Sequence, residues 1–230
     1  MKQIKNKYSL KIISYNLHYH RANTELSDLV KRYDADVLCL QECYADQLPE
    51  QIEDLELADT TSYGKFNMAI YCRSDRFAII NTQSHVLQDS VLERIYMPRM
   101  ERLLVSRLHD RDSNQHVSIG SFHATHLIAT NYLRRNQIVS AHQKLSELSN
   151  GSPAIMVGDY NYPLFKRGLK VKIERSGYKM TLADRPTYYL NKHVRGHFDL
   201  ATHTNTEVEE VTTLPRGISD HSPILVQIAL

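Results

Sequence analysis

Continuous apolar runs alternate along the chain with segments of helical period, and the runs tend to end in a polar residue. Tyr8 to Asn16 reads as a strand closed by an amide. Asn23 or Thr24 is placed to cap a helix whose apolar face is Leu26, Leu29, Val30 and Tyr33. Val37 to Leu40 has the uninterrupted apolar character of a strand buried on both faces, and it runs into Gln41-Glu42. Met68 to Cys72, Phe77 to Ile80, Leu103 to Leu108 and Val117 to Phe122 predict further strands. From Asn131 to Leu148 the residues Ile138, Ala141, Leu145 and Leu148 share a helical face, and Asn150-Gly151-Ser152-Pro153 stops the helix. Ala154 to Val157 predicts another buried strand, broken by Gly158. Thr187 to Leu190, His197 to Thr202 and Ile224 to Ile228 complete the set. With no repeat, low-complexity stretch or linker, the pattern predicts one α/β domain over residues 1–230, rich in strands and poor in helices.

Polar residues recur where these strands end. Asn16 follows Ile12 to Tyr15, Glu42 follows Val37 to Leu40, and His123 follows Val117 to Phe122. Asp159 and Asn161 follow Ala154 to Val157, Asp199 interrupts an apolar strand, and Asp220-His221 precedes the last strand. Strand ends can converge on one edge of a sheet, where clefts form. Carboxylates with amide oxygens make an all-oxygen site suited to Mg²⁺ or Mn²⁺ rather than zinc. Two histidines offer a proton donor and acceptor near neutrality, and asparagine can donate to a phosphoryl oxygen as charge develops. An unpartnered carboxylate inside a strand is costly, so Asp199 needs a partner, and His221 is a good one.

Composition narrows the picture only a little. At 230 residues, 42% hydrophobic and 23% charged, the chain has the content of a globular domain with a substantial core. A net charge of +2 excludes a strongly basic nucleic-acid arm but leaves room for a local basic patch. Cys39, Cys43 and Cys72 are odd in number and lack metal-finger spacing, which predicts reduced, buried thiols and a cytoplasmic protein. Met1 to Lys7 has no apolar core, and neither a signal peptide nor a membrane span is expected.

Taken in order, Tyr15-Asn16, Leu40-Gln41-Glu42, Phe122-His123, Gly158-Asp159-Tyr160-Asn161, Phe198-Asp199-Leu200 and Ser219-Asp220-His221-Ser222-Pro223 resemble the motifs of the endonuclease/exonuclease/phosphatase superfamily. That superfamily includes pancreatic-type deoxyribonucleases, abasic-site endonucleases, neutral sphingomyelinases, inositol polyphosphate 5-phosphatases and deadenylases. Each motif is weak alone; six in order are not. The resemblance implies a four-layer α-β-β-α sandwich with two packed mixed β-sheets. It implies Glu42 as principal Mg²⁺ ligand, with Asn16 and Asp220 at the metal or phosphate. Asp159 and Asn161 would orient the water and stabilise the transition state. His221 would be general base or phosphate clamp, its imidazole oriented by Asp199.

The second catalytic histidine is His123 or His126, since Thr125-His126-Leu127 also resembles a form of that motif; His123 is preferred because it directly ends its strand. Abasic-site endonucleases typically carry Tyr in this region, which points away from that activity. Pancreatic-type deoxyribonucleases support this His with a Glu on the strand resembling Asn67 to Tyr71. Here no Glu stands there, and Asn67 is the nearest polar residue.

The densest basic stretch, Lys166-Arg167-Gly168-Leu169-Lys170-Val171-Lys172, follows the Asp159 loop, with Arg175 beyond it. Lys166, Arg167 and Lys170 are candidate contacts to a polyanion; a solvated helix face is the alternative. Arg134 and Arg135 carry the same ambiguity. His18 and His20 read as surface residues, and the scattered tyrosines offer no stacking platform. The expected protein is a monomeric Mg²⁺-dependent phosphodiesterase acting on nucleic acid through direct attack of water. Inositol phosphates or phospholipids are the alternative substrates, and an inactive binding module is the third reading.

Overall fold

The computed structural model describes residues 9–63, 66–87, 100–126, 129–162, 164–189 and 195–230. The segment Met1 to Lys7, and Tyr8, Leu127 and Leu190 among the sequence readings, lie outside them. Two sheets carry the architecture. The first holds seven strands in the order β14-β15-β1-β2-β5-β4-β3. Its members are β1 (Ser9–Asn16), β2 (Val37–Cys43), β3 (Gln51–Ile52), β4 (Leu55–Thr60), β5 (Asn67–Arg73), β14 (Glu207–Thr213) and β15 (Ile224–Ala229). The second holds six, in the order β10-β13-β9-β8-β7-β6. Its members are β6 (Phe77–Val86), β7 (Glu101–Asp110), β8 (Gln115–His123), β9 (Ala154–Asp159), β10 (Lys179–Leu182) and β13 (Asp199–Thr204). A two-stranded ribbon pairs β11 (Tyr188–Tyr189) with β12 (Arg195–Gly196).

Alternation along the strands explains the layering. Ile12, Val37, Cys39, Ile70 and Val226 of the first sheet pack against Leu104, Ile119, Ile155 and Val157 of the second, forming the central core. The opposite faces are covered by helices. Ile13, Leu38, Leu40 and Ala69 pack against Leu26 and Val30 of helix α1 (Leu26–Tyr33). Val105, Phe122 and Met156 pack against Ile138, Ala141 and Leu145 of α2 (Asn131–Ser149) and Leu169 and Ile173 of α3 (Lys166–Arg175). The result is the expected α-β-β-α sandwich with two mixed sheets.

Local readings were met unevenly. Helix α2 stops at Asn150 in the left-handed region, as predicted, and at its start the Thr130 hydroxyl accepts from the Leu133 N–H at 3.3 Å. Helix α1 is not capped by Asn23 or Thr24. A 3₁₀ turn (Arg21–Glu25) precedes it, and the helix begins after Glu25 without a side-chain cap. Gly158 does not break its strand; β9 runs through it at φ 143°. A Cβ there would lie 1.9 Å from the Phe122 carbonyl oxygen, so glycine is what lets β8 and β9 pair at this point. The three thiols are buried and free. No helix among the described residues is long and apolar enough to cross a membrane.

A polar knot joins α2, α3 and β13. The His142 imidazole bonds Ser176 Oγ at 2.8 Å and Thr202 Oγ1 at 2.9 Å, and stacks on Tyr178 at 4.0 Å with a 5° interplanar angle. Burial holds its pKa down to about 3, against 6.5 for the free side chain. The stability this neutral ring contributes is therefore complete above about 6.5 and is lost as the pH falls toward about 3. Unfolding free energies from urea titrations across that window should fall with a slope approaching about 1.4 kcal/mol per pH unit from this one group. His142→Gln should lower stability at neutral pH and flatten the acid limb.

Candidate active site

Topology gathers the six sequence motifs at one end of the two sheets. β1 and β2 are parallel, with Asn16 opposite Gln41. β8 and β9 are parallel, with His123 opposite Asp159. β13 runs antiparallel to β9 and begins at Asp199, opposite Asp159. β15 runs antiparallel to β1, so the loop before it brings Ser219, Asp220 and His221 to the same end. The sheets are tied beneath the site by Gln41, whose amide donates to Ser121 Oγ at 2.9 Å. Above that tie, Asn16 Nδ2 donates to Glu42 Oε1 and to Asp159 Oδ2, both at 3.2 Å, linking one sheet to the other.

Glu42, Asp159, Asp199, His123 and His221 are all buried. His221 Nδ1 bonds Asp199 Oδ2 at 2.8 Å, the partnership that the buried carboxylate required. Burial opposes the imidazolium, but the Asp199 and Asp159 carboxylates more than offset it and raise His221 to about 10. Burial, reinforced by the Asp199 and Glu42 charges against the pull of His221, raises Asp159 to about 7. Asp159 Oδ1 accepts the Asn161 N–H at 2.8 Å, and its Oδ2 accepts the Asn161 side-chain amide at 3.2 Å. The Nε2 atoms of His123 and His221 each lie 3.7 Å from that same Oδ2. Burial, then the neighbouring His126 and Arg102, lowers His123 well below the ordinary imidazole value. Its Nε2 is buried without a hydrogen-bond partner, 3.6 Å from Glu42 Oε1.

The backbone is bent to build this floor. Glu42 sits at φ 53° in the bulge of the β2–β5 pairing. His18, Tyr19 and His20 follow one another in the left-handed region at φ 47°, 59° and 67°. This turn donates the Tyr19 N–H to Glu42 Oε2 at 3.2 Å and the His20 N–H to the Glu42 carbonyl at 2.8 Å. It also donates the His18 N–H to Asn16 Oδ1 at 3.0 Å. That bond fixes the Asn16 amide with its nitrogen toward the carboxylates. Asn16 therefore enters the site as a donor to both carboxylates.

Other candidates fall on and off the site. Asp220 is part-exposed at the rim and pairs with His18 Nδ1 at 2.6 Å, so His18 belongs to the site. His20 turns away and accepts the Tyr44 N–H at 3.2 Å. His126 is half-buried and lines the cleft, its ring 5.9 Å from that of His123. Asn67 does not orient His123; its amide donates to the Thr61 carbonyl at 2.8 Å. Lys166 sits beside the site, its ammonium bonded to the His197 carbonyl. Burial lowers it to about 8 against the pull of Asp199 and Asp159. Arg167 and Lys170 lie on the exposed face of α3, Lys170 with Glu174 at 3.9 Å, and neither lines the cleft.

Two groups of residues escaped the sequence reading. Glu25 accepts from the Ile218 N–H at 2.7 Å and from Tyr15 OH at 2.8 Å. It thereby ties the loop of Asp220 and His221 to the strand of Asn16, and a Cβ on Gly217 would strike its carboxylate at 2.0 Å. Nothing local to Glu25 signals this. The tyrosines are also less scattered than they read: Tyr19 and Tyr188 both line the cleft, Tyr188 with its ring 4.8 Å from His221.

The cleft has a volume of about 400 Å³. Three buried carboxylates face one imidazolium on its floor, an excess of negative charge that a bound cation would offset. Glu42 and Asp159, bridged by a single amide nitrogen, offer oxygens of the kind a hard divalent ion takes. Asp159, Asp199 and His221 also place ligand atoms within 4.8 Å of one another. There His221 Nδ1 is bonded to Asp199, which orients the imidazole and leaves Nε2 facing Asp159.

A sequence model of the endonuclease/exonuclease/phosphatase family matches residues 13–221. No curated protein matches the chain in sequence. Among solved structures, a mannosyl-6-phosphatase from Bacteroides thetaiotaomicron superposes with a TM-score of 0.78 at 18% identity, covering 96% of this chain and 100% of that one. D. rerio TDP2 complexed with single-strand DNA product gives a TM-score of 0.76 at 18% identity, over 96% and 99%. The human Nocturnin catalytic domain with bound sulfate gives 0.73 at 15% identity, over 96% and 94%.

The Asp199–His221 pair sets one measurable expectation. Carboxylate charge is what raises His221 to about 10, so Asp199→Asn should bring its titration midpoint down toward or below the ordinary imidazole range. Nuclear magnetic resonance of the imidazole across pH reads this directly. An unchanged midpoint would mean that Asp199 does not hold the imidazolium.

Proposed function

The chain belongs to the endonuclease/exonuclease/phosphatase family, and from that premise we propose that it is a Mg²⁺- or Mn²⁺-dependent phosphodiesterase acting on nucleic acid. The observation that carries this reading is the convergence on Asp159 Oδ2 of two imidazole nitrogens at 3.7 Å, beside the buried Glu42 carboxylate. Glu42 from the floor and Asp220 from the rim would hold the cation. Bound there, it supplies positive charge for the phosphoryl and leaving oxygens. The remaining steps belong to the chain's own residues.

Asp159 takes the proton of the attacking water. Burial raises its affinity for a proton above that of a free carboxylate, and Asn161 and Asn16 fix the carboxylate in place. His221, held as an imidazolium by Asp199, clamps the phosphoryl oxygens as negative charge builds. His123 presents its unpartnered Nε2 to the leaving-group side, and His126 lines the approach. Water attacks phosphorus directly, with no covalent enzyme intermediate. Lys166 adds a cation beside the site that suits a polyanionic substrate. The same reading takes residues 1–230 as one catalytic domain, working as a cytoplasmic monomer. The modest cleft volume favours a second reading, a phosphatase of inositol or sugar phosphates.

Incubation with supercoiled plasmid, structured RNA, sphingomyelin, inositol phosphates and mannose 6-phosphate, in Mg²⁺ or in EDTA, separates these. Nucleic acid should be cleaved only in the metal, and Glu42→Gln and His221→Ala should each lower turnover about 100-fold or more. Turnover indifferent to EDTA and to both substitutions would overturn the hydrolase reading. Phosphate release from the monoesters without nicking would select the second.

A further inference from the structure

The left-handed turn at His18 to His20 does more than grip Glu42. A bulky residue at positive φ is a genuine outlier, and each such residue costs about 1–2 kcal/mol. The grip on Glu42 and Asn16 uses only backbone N–H groups, which glycine or asparagine would supply with less strain. What the turn adds by carrying Tyr19 is a ring. That ring is 41% exposed at the rim of an acidic cleft. It is backed by Phe66 at 4.7 Å with the planes tilted by 44°, Phe66 in turn lies 6.1 Å from Tyr44, and His18 lies against Tyr19 at 4.9 Å. Tyr188 and Phe198, 4.4 Å apart, line the same cleft. Carboxylates and imidazoles thus form the floor, and aromatic rings form part of the walls.

We propose that Tyr19, supported by Phe66, is the stacking face of a subsite for a planar ring carried by the phosphoester beside the scissile phosphorus, with Tyr188 also lining that space. This rests on the phosphodiesterase reading and narrows its substrates to esters bearing a flat ring. A nucleobase and an aryl leaving group share that chemistry. Stacking on an exposed aromatic face tolerates any π-system, so the subsite selects rings over alkyl groups and does not read a base sequence.

The chain has no tryptophan, so Tyr19→Trp places a single indole at this position. Its fluorescence should be quenched on titration with adenosine 5′-monophosphate and not with ribose 5-phosphate. Quenching by phenyl phosphate with adenosine 5′-monophosphate silent would assign the ring to the leaving group instead of a base. Quenching by neither overturns the subsite. Kinetics supply the second arm. Tyr19→Gly keeps the strained turn in a conformation glycine adopts freely, so a folding failure is not expected. It should lower kcat/KM for thymidine 5′-(4-nitrophenyl phosphate) about tenfold more than for methyl 4-nitrophenyl phosphate, equivalent to about 1.4 kcal/mol of ring recognition. Both esters carry the 4-nitrophenyl ring, so equal losses together with no quenching by phenyl phosphate would reduce Tyr19 to a support for Glu42 and overturn the proposal. Ring-dependent quenching in a protein that hydrolyses neither ester would sink the phosphodiesterase reading while leaving the subsite standing.

Discussion

Negative charge buried at the shared end of two sheets is the constraint around which the rest of this molecule is arranged. Glu42, Asp159 and Asp199 are each withdrawn from water, and each arrives on a different strand. Isolated carboxylates in such surroundings would take up protons or drive the strands apart. Here the charge is divided among fixed partners. Asp199 is neutralised by His221, Asp159 is bracketed by amide donors, and Asn16 spans the gap between Asp159 and Glu42. The arrangement still leaves more carboxylate than cation. A site in that state is prepared for a positive ligand and pushes its two histidines in opposite directions.

The backbone bears the cost locally. Several positive-φ residues outside the site are Asn or Asp in turns, where the left-handed region is easily reached. At the site the same conformation is imposed on His, Tyr and Glu, and it is stabilised by hydrogen bonds that converge on Glu42. Strain of this kind persists only where surrounding structure overdetermines it. Here the surroundings are the Gln41–Ser121 tie and the densely packed central core.

The residues readable in advance were those attached to a strong local signal. Asn16, Glu42, His123 and Asp159 end apolar runs that can only be buried strands, so their position in the fold followed from their neighbours. The pairing of Asp199 with His221 followed from the energetics of a carboxylate in a strand. What could not be read depended on direction or on distance along the chain. Helical spacing put Arg167 and Lys170 near the Asp159 loop but could not say which face of α3 looks at the cleft. Glu25 meets Ile218 across 193 positions, and no local pattern records that. The orientation of the Asn16 amide depends on one N–H two residues on, in a turn whose left-handed backbone no propensity favours. The edge strands β3 and β14, and β4 beside β3, lack the continuous apolar runs that marked the buried ones.

The placement of β15 has a consequence for how the chain reaches this state. Residues 224–229 form the last strand in sequence but not an edge of the first sheet: they lie between β14 and β1. Until they dock, β1 has one unpaired side along its whole length, and the loop bearing His221 has no anchor. Pairings of such long sequence separation form slowly because loop closure must come before the contacts that reward it. During that interval the open side of β1 is a template for any other extended chain. The bond from Ser219 Oγ to the Asn16 carbonyl at 2.7 Å secures the His221 loop beside this pairing. The buried acids and histidines come into register only as that edge is paired.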